Sequence, residues 1–153
     1  MDPPAGNGAR DHATGSIAVI KELLGDAYQI VAERVFSNDA SALQAELIDL
    51  CDRGGIDLIL TSGGIGLASS DRTPQATAAI LDYEIPGIAE AIRVFAIRNN
   101  PSAMLARVLA GVRHKTLIVN LPGSPKAVSE SLGTIVSILP DALEFITGGV
   151  SEK

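Results

Sequence analysis

Apolar residues recur along the chain at two different spacings, and the alternation between those spacings predicts its architecture. From Ser16, the positions Ile17, Ile20, Leu23 and Leu24 fall on one helical face, with Thr14 or Ser16 as N-cap and Gly25 as the stop. Tyr28 to Phe36 reads as a strand. Ser37-Asn38-Asp39 then caps a helix carrying Leu43, Leu47, Ile48 and Leu50, which ends at Gly54-Gly55. Ile56 to Thr61 is a short continuous apolar run between turn residues, the pattern of a strand buried on both faces. Thr73 caps a helix with Pro74 at its first position and Ala76, Ala79 and Ile80 on its face; Pro86-Gly87 breaks the chain before another helix through Ile88, Ile92, Phe95 and Ala96. Met104 to Val112 and Lys115 to Asn120 are apolar arms around Arg113-His114. They predict a hairpin, although the first arm fits a helical turn equally well. A long amphipathic helix from Pro125 to Thr147 closes the domain through Val128, Leu132, Ile135, Ile138, Leu139, Leu143 and Ile146.

Strands alternating with helices predict an α/β fold of three layers, a mostly parallel sheet with helices on both faces and a small β-hairpin near residues 104–120. The 153 residues suffice for one domain, expected over residues 11–150 behind a disordered tail at 1–10 that is rich in Pro, Gly, Asn and Asp. Hydrophobic residues make up 46% but aromatic ones only 3%, so the core must be built from Ile, Leu, Val and Ala. Twelve basic residues against 18 acidic ones leave a net charge of −6, which argues against a nucleic-acid surface because phosphate neutralisation needs a basic excess. No apolar stretch approaches the roughly 20 residues of a membrane span, and no signal-type segment opens the chain, so a soluble, cytoplasmic protein is expected. Cys51 is the lone cysteine and forms no internal disulfide.

Two strand-to-helix turns carry the candidate chemistry. They are Thr61-Ser62-Gly63-Gly64-Ile65-Gly66 and Asn120-Leu121-Pro122-Gly123-Ser124-Pro125. In an open α/β sheet both lie at the carboxyl ends of strands, where ligands bind. Glycines allow positive φ and leave backbone N–H groups free to form an anion concavity. Ser124 capping a helix behind Pro125 adds a helix N-terminus, and Lys126 a full positive charge. Asp71 is a candidate Mg²⁺ ligand beside them. Each loop alone reads equally as a tight turn or an ordinary cap. No Lys-Ser/Thr follows Gly-Gly-Ile-Gly, so it is not a Walker loop. His12 and His114 lack partners at metal-ligand spacing.

Taken in order, these loops together with Asp71-Arg72-Thr73-Pro74, Ile85-Pro86-Gly87, Met104-Leu105-Ala106-Arg107 and Lys126 resemble the motifs of the molybdopterin-binding family. That family includes bacterial molybdopterin adenylyltransferases and the G domain of gephyrin. The resemblance runs from about Asp11 to Gly148. It implies a homotrimer that binds molybdopterin and, with Mg²⁺ and ATP, adenylylates its terminal phosphate. On the matching positions it implies Asp71 and Asp39 as catalytic, Asp71 as the metal ligand, and substrate contacts from Thr61, Ser62, Gly63, Gly64, Gly66, Thr73, Arg107, Asn120, Pro122, Gly123, Ser124, Pro125 and Lys126. There are departures. The family's first functional aspartate falls on Asn38, with Asp39 next to it; its Pro-Arg before the second is Ser69-Ser70; its Met-Leu-Ser-Arg is Met-Leu-Ala-Arg. The strand that opens the family's fold has no counterpart in these residues, so neighbouring sheet edges are expected to stand open. A non-catalytic molybdopterin-binding or scaffold protein is the alternative from another functional class, and a generic nucleotide-binding module a third.

Overall fold

The computed structural model describes residues 7–37 and 39–148, with side chains from residue 12 onward. Its elements in chain order are α1 (Asn7–Leu24), α2 (Ala40–Arg53), β1 (Leu58–Ser62), α3 (Thr73–Ala78), β2 (Tyr83–Glu84), α4 (Pro86–Asn99), β3 (Ala110–Arg113), β4 (Thr116–Leu121), α5 (Pro125–Ile135) and α6 (Leu139–Thr147). The strands form one sheet in the order β1-β4-β3-β2. Only β1 and β4 are parallel; β4–β3 and β3–β2 are antiparallel, so the sheet is mixed where a mostly parallel one was expected. The cause is the hairpin at Arg113-His114, whose second arm turns back onto the first.

Period-two alternation along β4 sorts the layers. Leu117, Val119 and Leu121 face a core that also holds Leu24 of α1, Ile88 and Ile92 of α4, Val128, Leu132 and Ile135 of α5, and Leu139 of α6. Ile118 faces the other way, onto Leu47 and Cys51 of α2 and Ile80. Every residue of β4 is buried, so it is the central strand. The three-layer α/β expectation holds.

Several boundaries differ from the sequence reading. α1 begins at Asn7, within the segment expected to be a tail, and Ser16 lies inside the helix instead of capping it; residues 1–6 lie outside the described ones. α3 starts one residue earlier than expected, with Arg72 at the N-cap. Met104 and Leu105 belong to a 3-10 turn over Pro101–Leu105, which leaves only Ala110–Arg113 as the hairpin's first arm. The long C-terminal helix breaks into α5 and α6 across Val136–Ile138, because Pro140 has no N–H and its ring would collide with the carbonyl four residues earlier.

The largest departure is Tyr28 to Phe36. This segment is not a strand: it has no regular structure, and among the described residues it joins no strand ladder. Glu33 pairs with Lys21 of α1, and Arg34 with Glu46 of α2, so neighbouring side chains reach helices on opposite faces of the sheet. That is the disposition of a strand within the sheet layer, without a ladder. Val31 is 60% and Val35 70% exposed. Among the described residues β1 has β4 as its one neighbour and is an edge strand despite its apolar sequence.

Candidate active site

β1 and β4 run side by side from Leu58↔Leu117 to Ser62↔Leu121, so the turns that follow them leave the same edge of the sheet. The two loops touch. Gly63 N donates to Leu121 O at 3.0 Å, and Ser62 Oγ to Pro122 O at 2.9 Å. A Cβ on Gly123 would lie 3.3 Å from Gly63 Cα. Gly64, at φ 70°, lies in the left-handed region, and a Cβ there would stand 2.3 Å from Thr73 Oγ1. Thr73 N also donates to Gly64 O at 3.1 Å, which ties the start of α3 to the first loop.

The second loop is held from behind. Ser124 Oγ accepts from Ala127 N at 3.2 Å and so caps α5, with Pro125 in its first turn, as the sequence predicts. Ser16, fully buried within α1, donates to Gly123 O at 2.8 Å. A Cβ on Gly15 would come within 2.8 Å of Pro125 Cγ. Gly15-Ser16 is therefore the point where α1 presses against the loop, a role sequence reasoning missed. The available signal was a glycine inside a helical pattern, which is costly unless close packing requires it.

These contacts leave a set of donors without partners. Among the described residues, the N–H groups of Gly64 and Gly66 in the first loop, and of Ser124 and Lys126 in the second, make no hydrogen bond. The ammonium of Lys126, exposed at the start of α5, forms no ion pair there. Two abutting loops thus present unengaged amides, a capped helix N-terminus and one cation at one sheet edge. Such a set binds anions.

Asp71 sits at the end of the first loop, half-buried. Its N–H donates to Ala68 O at 2.9 Å, and its Oδ2 accepts from Ala68 N at 3.2 Å. Gly66 makes room for this carboxylate, since a Cβ there would lie 2.7 Å from Asp71 Oδ2. Oδ1 has no partner among the described residues. No group of three His, Cys, Asp or Glu residues able to hold a metal occurs there either. One carboxylate with a free oxygen fits a hydrated Mg²⁺ shared with a ligand's phosphates, and does not fit a cage of protein ligands.

Three expected site residues are already held by partners within the protein. Asn120 is fully buried beneath the loops; its Nδ2 donates to Thr61 Oγ1 at 2.8 Å and Thr77 Oγ1 at 3.0 Å, while its Oδ1 lacks a partner. It offers no surface to a substrate and instead ties β1, β4 and α3 together. Arg107 donates to the carbonyls of Gly66 and Asp71. Asp39 is the N-cap of α2, accepting from Ala42 N at 3.0 Å. With Ser41, Gln44, Arg72 and Gln75 it lines a polar depression of about 630 Å³ beside α3, to one side of the glycine loops. Asn38 lies outside the described residues.

A family model described as "Probable molybdopterin binding domain" matches residues 10–141, a span that takes in both loops. The chain belongs to the molybdopterin-binding family. A molybdopterin adenylyltransferase of Helicobacter pylori is 37% identical over 129 residues, covering 82% of this chain and 70% of that protein. One from Haemophilus influenzae is 37% identical over 143 residues, covering 86% and 72%. Among solved structures, the molybdopterin biosynthesis enzyme MoaB from Thermus thermophilus is 45% identical and superposes with a TM-score of 0.82, covering 87% of this chain and 84% of that one.

The perturbed ionisable groups of this molybdopterin-binding domain lie away from its loops. At the far end of the sheet, Asp52 of α2 accepts from Arg113 Nε at 3.0 Å and lies 3.0 Å from His114 Nε2. The hydrogen bond from Arg113 holds the Asp52 carboxyl below the usual carboxylate range. Burial pushes the Cys51 thiol up. These groups fasten the hairpin tip to α2 and belong to the fold.

Proposed function

We propose that the protein is a molybdopterin adenylyltransferase that uses Mg²⁺ and ATP. The observation that carries the reading is the contact between the two glycine loops, which puts unengaged amides, the α5 N-terminus and Lys126 on one edge with Asp71 at its flank. The names of relatives 37% identical over most of the chain support it. In this reaction a phosphate oxygen of molybdopterin attacks the α-phosphorus of ATP. One P–O bond forms, the bond to the bridging α–β oxygen breaks, and pyrophosphate leaves. The protein's task is to place the attacking oxygen in line and to offset charge on the phosphates. In this reading Gly64, Gly66 and Ser124 supply backbone donors, Lys126 supplies the cation, and Asp71 holds Mg²⁺. When bound, the ion would supply positive charge against the phosphates. Thr61 and Thr73 hold the loop frame, and Pro122, Gly123 and Pro125 shape the second wall. Asp39 stands as a second carboxylate across Arg72.

One observation favours a binding-only protein: the Asp39 carboxylate is already committed as a helix cap. Incubating the protein with molybdopterin and Mg-ATP and following adenylylated molybdopterin and pyrophosphate decides between the readings. Stoichiometric release of both products supports the transferase, whereas bound molybdopterin without turnover supports the alternative. The homotrimer belongs to the same proposal. It is supported by the exposed Val94 and Phe95 of α4 and Met104 and Leu105 of the turn packed on it.

A further inference from the structure

We propose that Arg107 is a positioning residue, the clamp that sets the direction of the first loop's donors and of Asp71, and acts through them. Its Nε and Nη2 donate to Gly66 O at 2.9 and 2.7 Å, and Nη2 also donates to Asp71 O. Its own backbone N–H donates to Ile65 O at 2.9 Å. A single residue thus holds the first and last carbonyls of the segment that ends in the acid. Among the described residues it has no carboxylate in ion-pair range, so the carbonyls are its chief partners.

The consequence follows from peptide geometry. In a planar trans peptide the N–H points opposite the C=O. With Ile65 O and Gly66 O both turned toward Arg107, the N–H groups of Gly66 and Leu67 both point away from it. Neither has a partner among the described residues. The guanidinium's rigid fork can hold carbonyls at the two ends of the loop at once, which a lysine's single ammonium on a flexible stem does poorly. The span between them is closed by Asp71 N to Ala68 O and Ala68 N to Asp71 Oδ2, so freeing one carbonyl loosens the carboxylate.

Arg107→Met and Arg107→Lys in the full chain test this, with two readouts. Without any substrate, amide exchange at Ala68 and Asp71 should accelerate by at least about tenfold in Arg107→Met, while Ile118 and Val119 in the central strand keep their protection; Arg107→Lys should recover part of the loss. The second readout rests on the proposed function: kcat should fall at least about tenfold, with KM for ATP within about threefold, because the groups disturbed act in the transition state. Unchanged exchange at Ala68 and Asp71 overturns the proposal. So does a loss carried wholly by KM, which would make Arg107 a direct substrate contact, or faster exchange with kcat intact. Loss of protection in the central strand of both variants would assign Arg107 to the core instead. If the unmodified protein forms no adenylylated product, the transferase reading fails, and the exchange measurement still decides the role of Arg107 in the loop.

Discussion

Gly64 shows how much of the site depends on one missing atom. At φ 70° the backbone already disfavours a side chain, and a Cβ would stand 2.3 Å from Thr73 Oγ1. Gly64→Ala should therefore destabilise the protein by about 1–3 kcal/mol, combining left-handed strain with displacement of the α3 start. A chemical denaturation midpoint measures it, and a shift within error would mean the loop has a second conformation available. The glycines were legible as a backbone approach because they follow a strand and precede a Thr-Pro helix start. What each approaches was not. That Gly63 meets Gly123, Gly64 meets Thr73 and Gly66 meets Asp71 depends on register and topology. Asn120 misled for the same reason: its motif sits on the loop's sequence, while strand alternation turns its side chain under α3.

Helices were easier to read than strands, and the reason is local. α2 and α5 carry their own caps, α4 opens on a proline, and all three have apolar faces, so Asp39, Pro86 and Ser124 mark their starts without help from the rest of the fold. A strand exists only with a partner. Tyr28 to Phe36 has strand-like composition but no strand partner among the described residues, and β2 is two residues long, visible only through its pairing with β3. The α5–α6 break was available from Pro140 and overlooked because the apolar period continues across it. The cap of α2 permits a test of its other expected role. Asp39→Ala should cost ~1 kcal/mol of stability through the lost bond to Ala42 N. If Asp39 only caps, turnover per folded molecule stays unchanged; a loss of turnover at least about tenfold beyond that would give it a catalytic part. A second element-scale prediction concerns α2 and the hairpin. Because Asp52 has a lowered pKa in the folded protein, the stability it contributes is present above the usual carboxylate range near pH 4 and is lost as pH falls through its folded value. The stability difference between the unmodified protein and Asp52→Asn, measured from pH 6 downward, should shrink below about pH 4. A difference that stays constant to pH 2 would remove the ion pair from the stability of the hairpin.

On the scale of the whole molecule, an acidic surface coexists with exposed apolar residues that include two clusters, the segment Tyr28 to Phe36 and the face of α4 with Met104 and Leu105. Apolar exposure of this kind marks association surfaces. The α4 face is the one the trimer proposal needs, and sedimentation at micromolar concentration should give a mass three times that of the chain. A monomer would contradict it, and association that Val35→Lys alone abolishes would move the interface to the segment Tyr28 to Phe36. No helix among the described residues is long and apolar enough to cross a membrane. The fold's main function at this scale is to bring the ends of β1 and β4 together, and the role proposed for the anion edge so formed is adenylyl transfer with Asp71 holding the metal. Turnover and thermal midpoint of the unmodified protein and of Asp71→Asn, with molybdopterin and Mg-ATP, decide whether Asp71 has that role. The expected result is a fall in turnover above about tenfold, a transition-state loss beyond ~1.4 kcal/mol, with the midpoint nearly unchanged. Equal turnover in the two proteins, or a lowered midpoint that accounts for the whole loss, would contradict it.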